Sequence, residues 1–173
     1  MTPTDHLVLL TDRGALPTVP DAMRIHERTD AHLDTLVEVL WRVHADGYPA
    51  TWPDDPRAWL SPEGLLAAWV AVDEGRVVGH VGIAVAGPGR MPSVTRLFVD
   101  PEHRCRGLAD DLLAAAEHGA PGTHVRLDVT EETPGAWRLY ERRGWHLTGT
   151  GPADWSKPSG ETPVLRYYAK RVG

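Results

Sequence analysis

The stretch from Ser93 to His118, SVTRLFVDPEHRCRGLADDLLAAAEH, constrains this chain more than any other. From Ser93 to Val99 the side chains alternate and β-formers dominate, which predicts a strand. Asp100-Pro101 ends it, because Pro101 has no N–H to give a ladder. His103, Arg104 and Arg106 then crowd basic groups into a short turn, and Gly107 follows. Leu108, Leu112, Leu113, Ala115 and Ala116 recur at helical spacing up to a stop near His118-Gly119. Strand, tight basic turn and helix N-terminus, in that order, direct free N–H groups and the positive end of a helix dipole to one point. Gly107 lets an anion approach the backbone closely. The stretch therefore predicts a seat for a phosphate or pyrophosphate. A dinucleotide fingerprint is a poorer reading, since the G-x-G-x-x-G spacing is absent here.

The other elements arrange themselves around it. Residues 1–20 read as an N-terminal extension punctuated by Pro17 and Pro20, and residues 21–173 as one domain. Met23 to Arg28 alternates and predicts the first strand. Thr29 or Asp30 caps a helix on which Leu33, Leu36, Val37, Leu40, Trp41 and His44 form one stripe. Asp46 to Pro56 is a Pro/Gly/Asp-rich loop with two large aromatics, and long loops in compact domains often carry function. Pro56 to Leu60 starts a short second helix. Ser61-Pro62-Glu63 is a further helix-start signal, weakened by Gly64. Leu65–Val72 and Val77–Val85 flank Asp73-Glu74-Gly75-Arg76 as a β-hairpin, with Gly79 and Gly82 marking close approach of another segment. After the central helix, His124 to Thr130 is a strand and Gly135 to Arg143 a short helix. Trp145 to Thr150 and Val164 to Arg171 are strands. The order β, α, α, β, β, β, α, β, α, β, β predicts an α/β domain, a mixed sheet with helices on both faces.

Totals exclude several function classes. At 173 residues the chain can bury about 70% of its unfolded surface without staples. Cys105 is the single cysteine, so no internal disulfide forms and a reducing compartment is expected. None of the nine histidines makes an H-x-x-x-H or H-x-H pair, so no metal is expected. A net charge of −6 argues against a nucleic-acid partner and is compatible with a cationic amine. The apolar run Leu7 to Leu10 is too short for a signal or a membrane span, which predicts a cytoplasmic protein with no membrane partner. A homodimer is compatible with all of this.

Arg104-Cys105-Arg106-Gly107-Leu108-Ala109 resembles the R/Q-x-x-G-x-G/A signature of the GCN5-related N-acetyltransferases (GNAT), whose loop binds the pyrophosphate of acetyl-coenzyme A. The segment from Leu127 to Trp145 is similar to the family's L-x-V…N-x-x-A-x-x-L-Y-E-x-x-G-F, closely so over A-x-x-L-Y-E-x-x-G-W. With Gly75 to His80 and Leu97 to Pro101, the resemblance extends over residues 23–171. It implies the GNAT fold: a central, mostly antiparallel twisted sheet of about seven strands, flanked by helices on both faces. It also implies acetyl-CoA as cosubstrate and transfer of its acetyl group to an amine, here read as that of a small molecule, by direct attack on the thioester.

By the same resemblance, the backbone of Leu97, Phe98 and Val99 supplies an oxyanion N–H and aligns the pantetheine arm, and Tyr140 is the acid for the leaving thiolate. Pattern alone also allows Tyr140 as a core residue of an amphipathic helix. Thr133 stands where the family carries an asparagine and still offers a hydrogen bond to the arm. Ser93 stands where many relatives carry a glutamate base, which leaves Asp46, Glu63, Asp128 or a water chain for that role. Cys105 reads as a loop residue offering its N–H. Asp46, Tyr48 and Trp52, with Trp59, are candidates for the acceptor wall, backed by Trp69 and Trp155. Two alternatives remain open. One is acetylation of a protein N-terminus or lysine, and the other is a non-catalytic acyl-CoA-binding module.

Overall fold

The computed structural model describes residues 23–173, so the segment read as an N-terminal extension lies outside it. The described residues form one seven-stranded sheet. Its strands are β1 (Arg24–Glu27), β2 (Leu65–Asp73), β3 (Arg76–Ala84), β4 (Ser93–Val99), β5 (His124–Thr130), β6 (His146–Pro152) and β7 (Val164–Arg171). Their order across the sheet is β1-β2-β3-β4-β5-β7-β6, antiparallel everywhere except between β4 and β5. Four α-helices accompany it: α1 (Leu33–His44), α2 (Pro56–Leu60), α3 (Leu108–Gly119) and α4 (Pro134–Arg142). This is the predicted mixed, mostly antiparallel sheet with helices on both faces, and the element order is as read from the sequence.

Two cores follow from the side-chain stripes. On one face α1 buries Leu33, Leu36, Val39, Leu40 and Val43 against Leu60 of α2, Val70 and Phe98. On the other, Leu108, Leu112, Leu113 and Ala116 of α3 and Leu139 and Tyr140 of α4 pack on Val78, Val81, Val99, Val125 and Leu127. The sheet thus separates an α1/α2 face from an α3/α4 face. The α3 layer comes close enough to need bare backbone. A Cβ on Gly79 would stand 3.0 Å from the Leu112 side chain and 3.1 Å from Phe98 O.

Two local readings are refined. The hairpin turns through Glu74 (φ 48°) and Gly75 (φ 76°), the paired left-handed residues of a type I′ turn. The helix-start signal at Ser61-Pro62-Glu63 is not followed by a helix. The chain instead turns at Gly64 (φ 76°), whose carbonyl takes the Val85 N–H at 2.9 Å, and β2 begins at the next residue. A Cβ on Gly64 would lie 2.0 Å from Val85 O. Gly64→Ala must therefore move a paired strand as well as strain φ. It is expected to cost about 1–3 kcal/mol, seen as a loss of about 2–4 °C in Tm per kcal/mol in thermal unfolding.

Candidate active site

The middle of the sheet is built to open. β4 and β5 register at one pair only, Ser93 with Arg126, and then diverge. On its other edge β4 carries a bulge. His80 pairs with Phe98 and Gly82 with Thr95, so two steps on β3 are matched by three on β4, and Arg96 adopts φ 52°. The Asp100 N–H reaches Val78 O at 2.8 Å, which sets the alternation along the strand. Leu97 and Val99 consequently turn their N–H and C=O toward the gap beside β5, where no strand pairs with them. Phe98 and Val99 themselves bury their side chains in the α1 and α3 cores, so Val99 meets the gap with its backbone alone, while the Phe98 backbone pairs with β3.

The bulge is held by a polar network on the α1/α2 face. His80 is fully buried, stacked on Phe98 with ring centroids 5.4 Å apart. Its Nδ1–H donates to Arg96 O at 2.9 Å, leaving Nε2 to accept from Arg28 Nη1 at 3.2 Å. Arg28 also donates to Leu60 O at 2.5 Å and Ser61 Oγ at 2.9 Å. The Arg96 guanidinium donates to Trp59 O and lies over the Trp59 ring, 4.6 Å from its centroid. Burial drives the His80 pKa down to about 3, against the pull of the Arg96 carbonyl and aided by the two arginine charges. The ring is therefore neutral at pH 7, as the tautomer requires. None of His80, Arg28 or Arg96 was selected from the sequence. The basic residue inside the apolar β4 pattern was the available signal.

At one end of the gap lies the basic turn. Gly107 caps α3 with φ 79°, and the N–H groups of Leu108, Ala109 and Asp110 have no carbonyl a turn earlier to bond. Cys105 is exposed with φ 61°. The cations of this turn are held by carboxylates: Arg104 by Asp46 at 2.6 Å and Arg106 by Asp73 at 2.8 Å. Arginines, a glycine cap and a helix N-terminus fit a pyrophosphate, and the unpaired edge of β4 fits an extended arm running from it. Asp46, read from the sequence as an acceptor-wall candidate, thus lies against the basic turn. An anion must displace its carboxylate. Asp46→Asn is expected to tighten acetyl-CoA about two- to fivefold in a calorimetric titration, the scale of one exposed ion pair.

At the other end, alternation along β5 puts Arg126 and Asp128 on the α1/α2 face, opposite the buried Val125 and Leu127. The Asp128 carboxyl stands near the hydroxyls of Tyr48 and Tyr140, close enough for each to influence the others. Asp128 is open to a cleft, yet the surrounding protein raises its pKa. Arg126 opposes that rise and Asp154 adds to it. Tyr48 is 40% exposed through its ring, while its hydroxyl end is surrounded by protein and raised to about 12 by burial, with Arg96 opposing and Asp128 adding to it. Burial likewise pushes the Tyr140 hydroxyl well above the usual phenol range. Tyr140 packs between Trp145 and Tyr168, each 6.1 Å away, and is aimed by ties at the end of α4. Those ties are Glu141 to the Tyr168 hydroxyl at 2.8 Å and Glu117 to Trp145 Nε1 at 2.8 Å. The cleft, about 560 Å³, is lined by Met91, Arg126, Asp128, Asp154, Trp155 and Tyr167 among others.

The remaining sequence candidates scatter. Thr133 precedes α4 and exchanges a 2.6 Å hydroxyl bond with Thr130. Trp52 packs on the outer side of α1, edge-on to Trp41 at 4.9 Å, away from Tyr48. Tyr48 instead meets Trp59, edge-on at 5.9 Å. Trp69 packs on the α3 face against Gly119, so it does not back the acceptor wall, whereas Trp155 lines the cleft. Glu63 is exposed in the turn before β2, and Ser93 heads β4 with its hydroxyl 3.4 Å from Val94 O. Asp154 was absent from the sequence candidates for a proton acceptor.

Comparison with known proteins agrees with this geometry. A family model described as "Acetyltransferase (GNAT) family" matches residues 33–145. A mycothiol acetyltransferase of Kineococcus radiotolerans is 32% identical over 117 residues, 67% of this chain and 39% of that protein. The chain thus spans about two fifths of the length of this curated relative. Among solved structures, yncA of Salmonella typhimurium, determined with its cofactor acetyl-CoA, superposes with a TM-score of 0.73 at 20% identity, covering 88% of this chain and 95% of that one. Arabidopsis thaliana NAA60 in complex with acetyl-CoA gives 0.68 at 17% identity, covering 86% and 98%. These two likenesses concern the fold. With its family match spanning the central bulged strand, the basic turn and the tyrosine helix, the chain belongs to the GNAT acetyltransferase family.

Proposed function

We propose that this chain transfers the acetyl group of acetyl-CoA to the primary amine of a small molecule. The observation that carries the reading is the parting of β4 from β5 after a single pair. It opens a slot that runs from the basic turn to Asp128 and the two tyrosine hydroxyls. Arg104, Arg106 and the first N–H groups of α3 hold the pyrophosphate, and the free backbone of Leu97 and Val99 aligns the arm. The Leu97 N–H donates to the thioester oxygen as it gains charge. The amine enters from the cleft on the opposite side of the slot. As its nitrogen bonds to the carbonyl carbon and the carbon–sulfur bond breaks, Asp128 accepts the amine's proton. A carboxyl with a raised pKa is better matched to that task than an ordinary one. The Tyr140 hydroxyl, which burial keeps protonated, donates to the departing sulfur. A cleft of about 560 Å³, open to solvent, supports a small acceptor.

The test is acetyl-CoA binding by thermal shift, followed by thiol release against small amines and against peptides with free N-termini or lysines. Binding with release on small amines is expected. Release on peptides alone moves the acceptor to proteins. Binding without release on any amine makes the chain a non-catalytic acyl-CoA module, and absence of binding removes the reading altogether.

A further inference from the structure

We infer that the acceptor is a zwitterion, a free amino acid whose amine is taken at Asp128 and whose carboxylate is taken by Arg126. The inference rests on the acetyl-transfer reading and adds the chemical class of its second substrate.

Three cations bordering the slot are committed to the protein. Arg28 serves Leu60, Ser61 and His80. Arg96 serves Trp59 and Thr95. Arg42 holds the buried Asp100 with two bonds, at 2.9 and 2.6 Å. Arg126 is different. It lines the cleft, and its guanidinium donates to no carbonyl or side chain among the described residues. Asp128 and Asp154 line the same cleft and accept no hydrogen bond there either. Three charged groups thus share one open cleft, and none of them makes a side-chain hydrogen bond among the described residues.

Their arrangement selects the ligand. Arg126 and Asp128 are two residues apart on one face of a strand, about 6.5–7 Å between Cα atoms. That separation suits the two charged ends of an amino acid bound between side chains of this reach. Ala169 is the cross-strand partner of Arg126, so a short side chain leaves the space beside the guanidinium clear. Arg126 makes the last pair with β4, and Asp128 lies two residues beyond it, where the strands have parted, hence nearer the thioester. Asp154 adds a second negative group on the amine's side. A polyamine would bring a second cation against Arg126. A peptide N-terminus carries an amide where the guanidinium fork calls for a carboxylate. Trp155 and Tyr167 remain as walls for the acceptor's side chain.

The experiment compares free L-amino acids with their carboxamides in the thiol-release assay, with the acetylated product identified by mass. The expected result is turnover of at least one amino acid with kcat/KM about tenfold or more above its own amide, the scale of a charge-assisted bidentate contact. In Arg126→Gln that preference collapses toward unity, and Arg126→Lys restores part of it. Arg126 is exposed, so these changes spare the core. Equal use of acid and amide overturns the inference, as does turnover confined to amines without a carboxylate. Both outcomes leave the acetyltransferase reading standing. Failure of every amino acid in a protein that binds acetyl-CoA also overturns the inference, whereas failure to bind acetyl-CoA is the separate defeat of the underlying reading.

Discussion

Asp128→Asn is expected to lower kcat/KM for amine acetylation by about 10²–10⁴-fold while acetyl-CoA affinity changes less than about twofold, the range that a positioned proton acceptor supplies. The asparagine keeps size and hydrogen-bonding shape but cannot take up a proton. Asp128 does not touch the basic turn, so cosubstrate binding serves as the internal control. The pH dependence carries the sign. Burial raises the Asp128 carboxyl, with Arg126 opposing and Asp154 adding to the rise. Only the ionised form accepts a proton, so kcat/KM of the native protein climbs as pH rises through a value above the ordinary carboxylate range. That limb is absent from the Asn variant. Near-native turnover in Asp128→Asn would transfer the proton to a water chain and leave Asp128 as a binding group. Tyr140→Phe provides the complementary measurement, since loss of a donor to the departing sulfur acts on kcat while leaving acetyl-CoA binding unchanged.

His80 gives the second large effect, and it separates stability from turnover. In the fold its pKa lies at about 3, whereas an unfolded histidine titrates near about 6.5. Between those values the unfolded chain binds a proton that the folded chain does not. Stability is therefore complete above about pH 6.5 and falls as pH drops below it, by about 1.4 kcal/mol per unit from this group alone. For a domain of this size that is about 2–4 °C of Tm per kcal/mol. His80→Asn removes the titration and keeps an N–H positioned to donate to Arg96 O, so its Tm lacks this share of the acid slope and its turnover stays within about tenfold. His80→Leu lacks the same slope but also loses the donor that pins the bulge, and its kcat falls further than that of the Asn variant. An identical acid slope in native protein and His80→Asn would show that the ring's burial does not control acid stability.

Much of the fold was legible because its signals are local. The apolar stripe of α1, the hairpin turn of Asp73 to Arg76, and the strand, basic turn and helix around Gly107 each depend on residues a few places apart. The site was legible only in part, because its groups meet across long sequence distances. Arg96 is kept in its bulge by His80 and Trp59, 16 and 37 residues away. Asp46 reads as an acceptor-side acid from its loop, yet its partner is Arg104, 58 residues on. Asp128 occupies a charged position on an alternating strand, which looks the same whether the face meets solvent or a cleft. Trp52 and Tyr48 share one loop, yet Trp52 packs on Trp41 of α1 and Tyr48 on Trp59 of α2. Trp69 is drawn to the α3 face by Gly119, where a Cβ would stand 2.3 Å from its ring, a match of bare backbone and indole that spacing does not reveal.

The solitary pair between β4 and β5 has a consequence for solvent isotopes. Central strands of a sheet ordinarily shelter their amides, and exchange there reports global opening. Leu97 and Val99 lie in mid-sheet, but their outward amides face the gap instead of a partner strand. Deuterium should enter these two amides quickly while the neighbouring Phe98 amide, directed at β3, stays protected. Filling the gap with acetyl-CoA should then slow Leu97 and Val99 alone along β4, writing the path of the cosubstrate onto alternate residues of one strand.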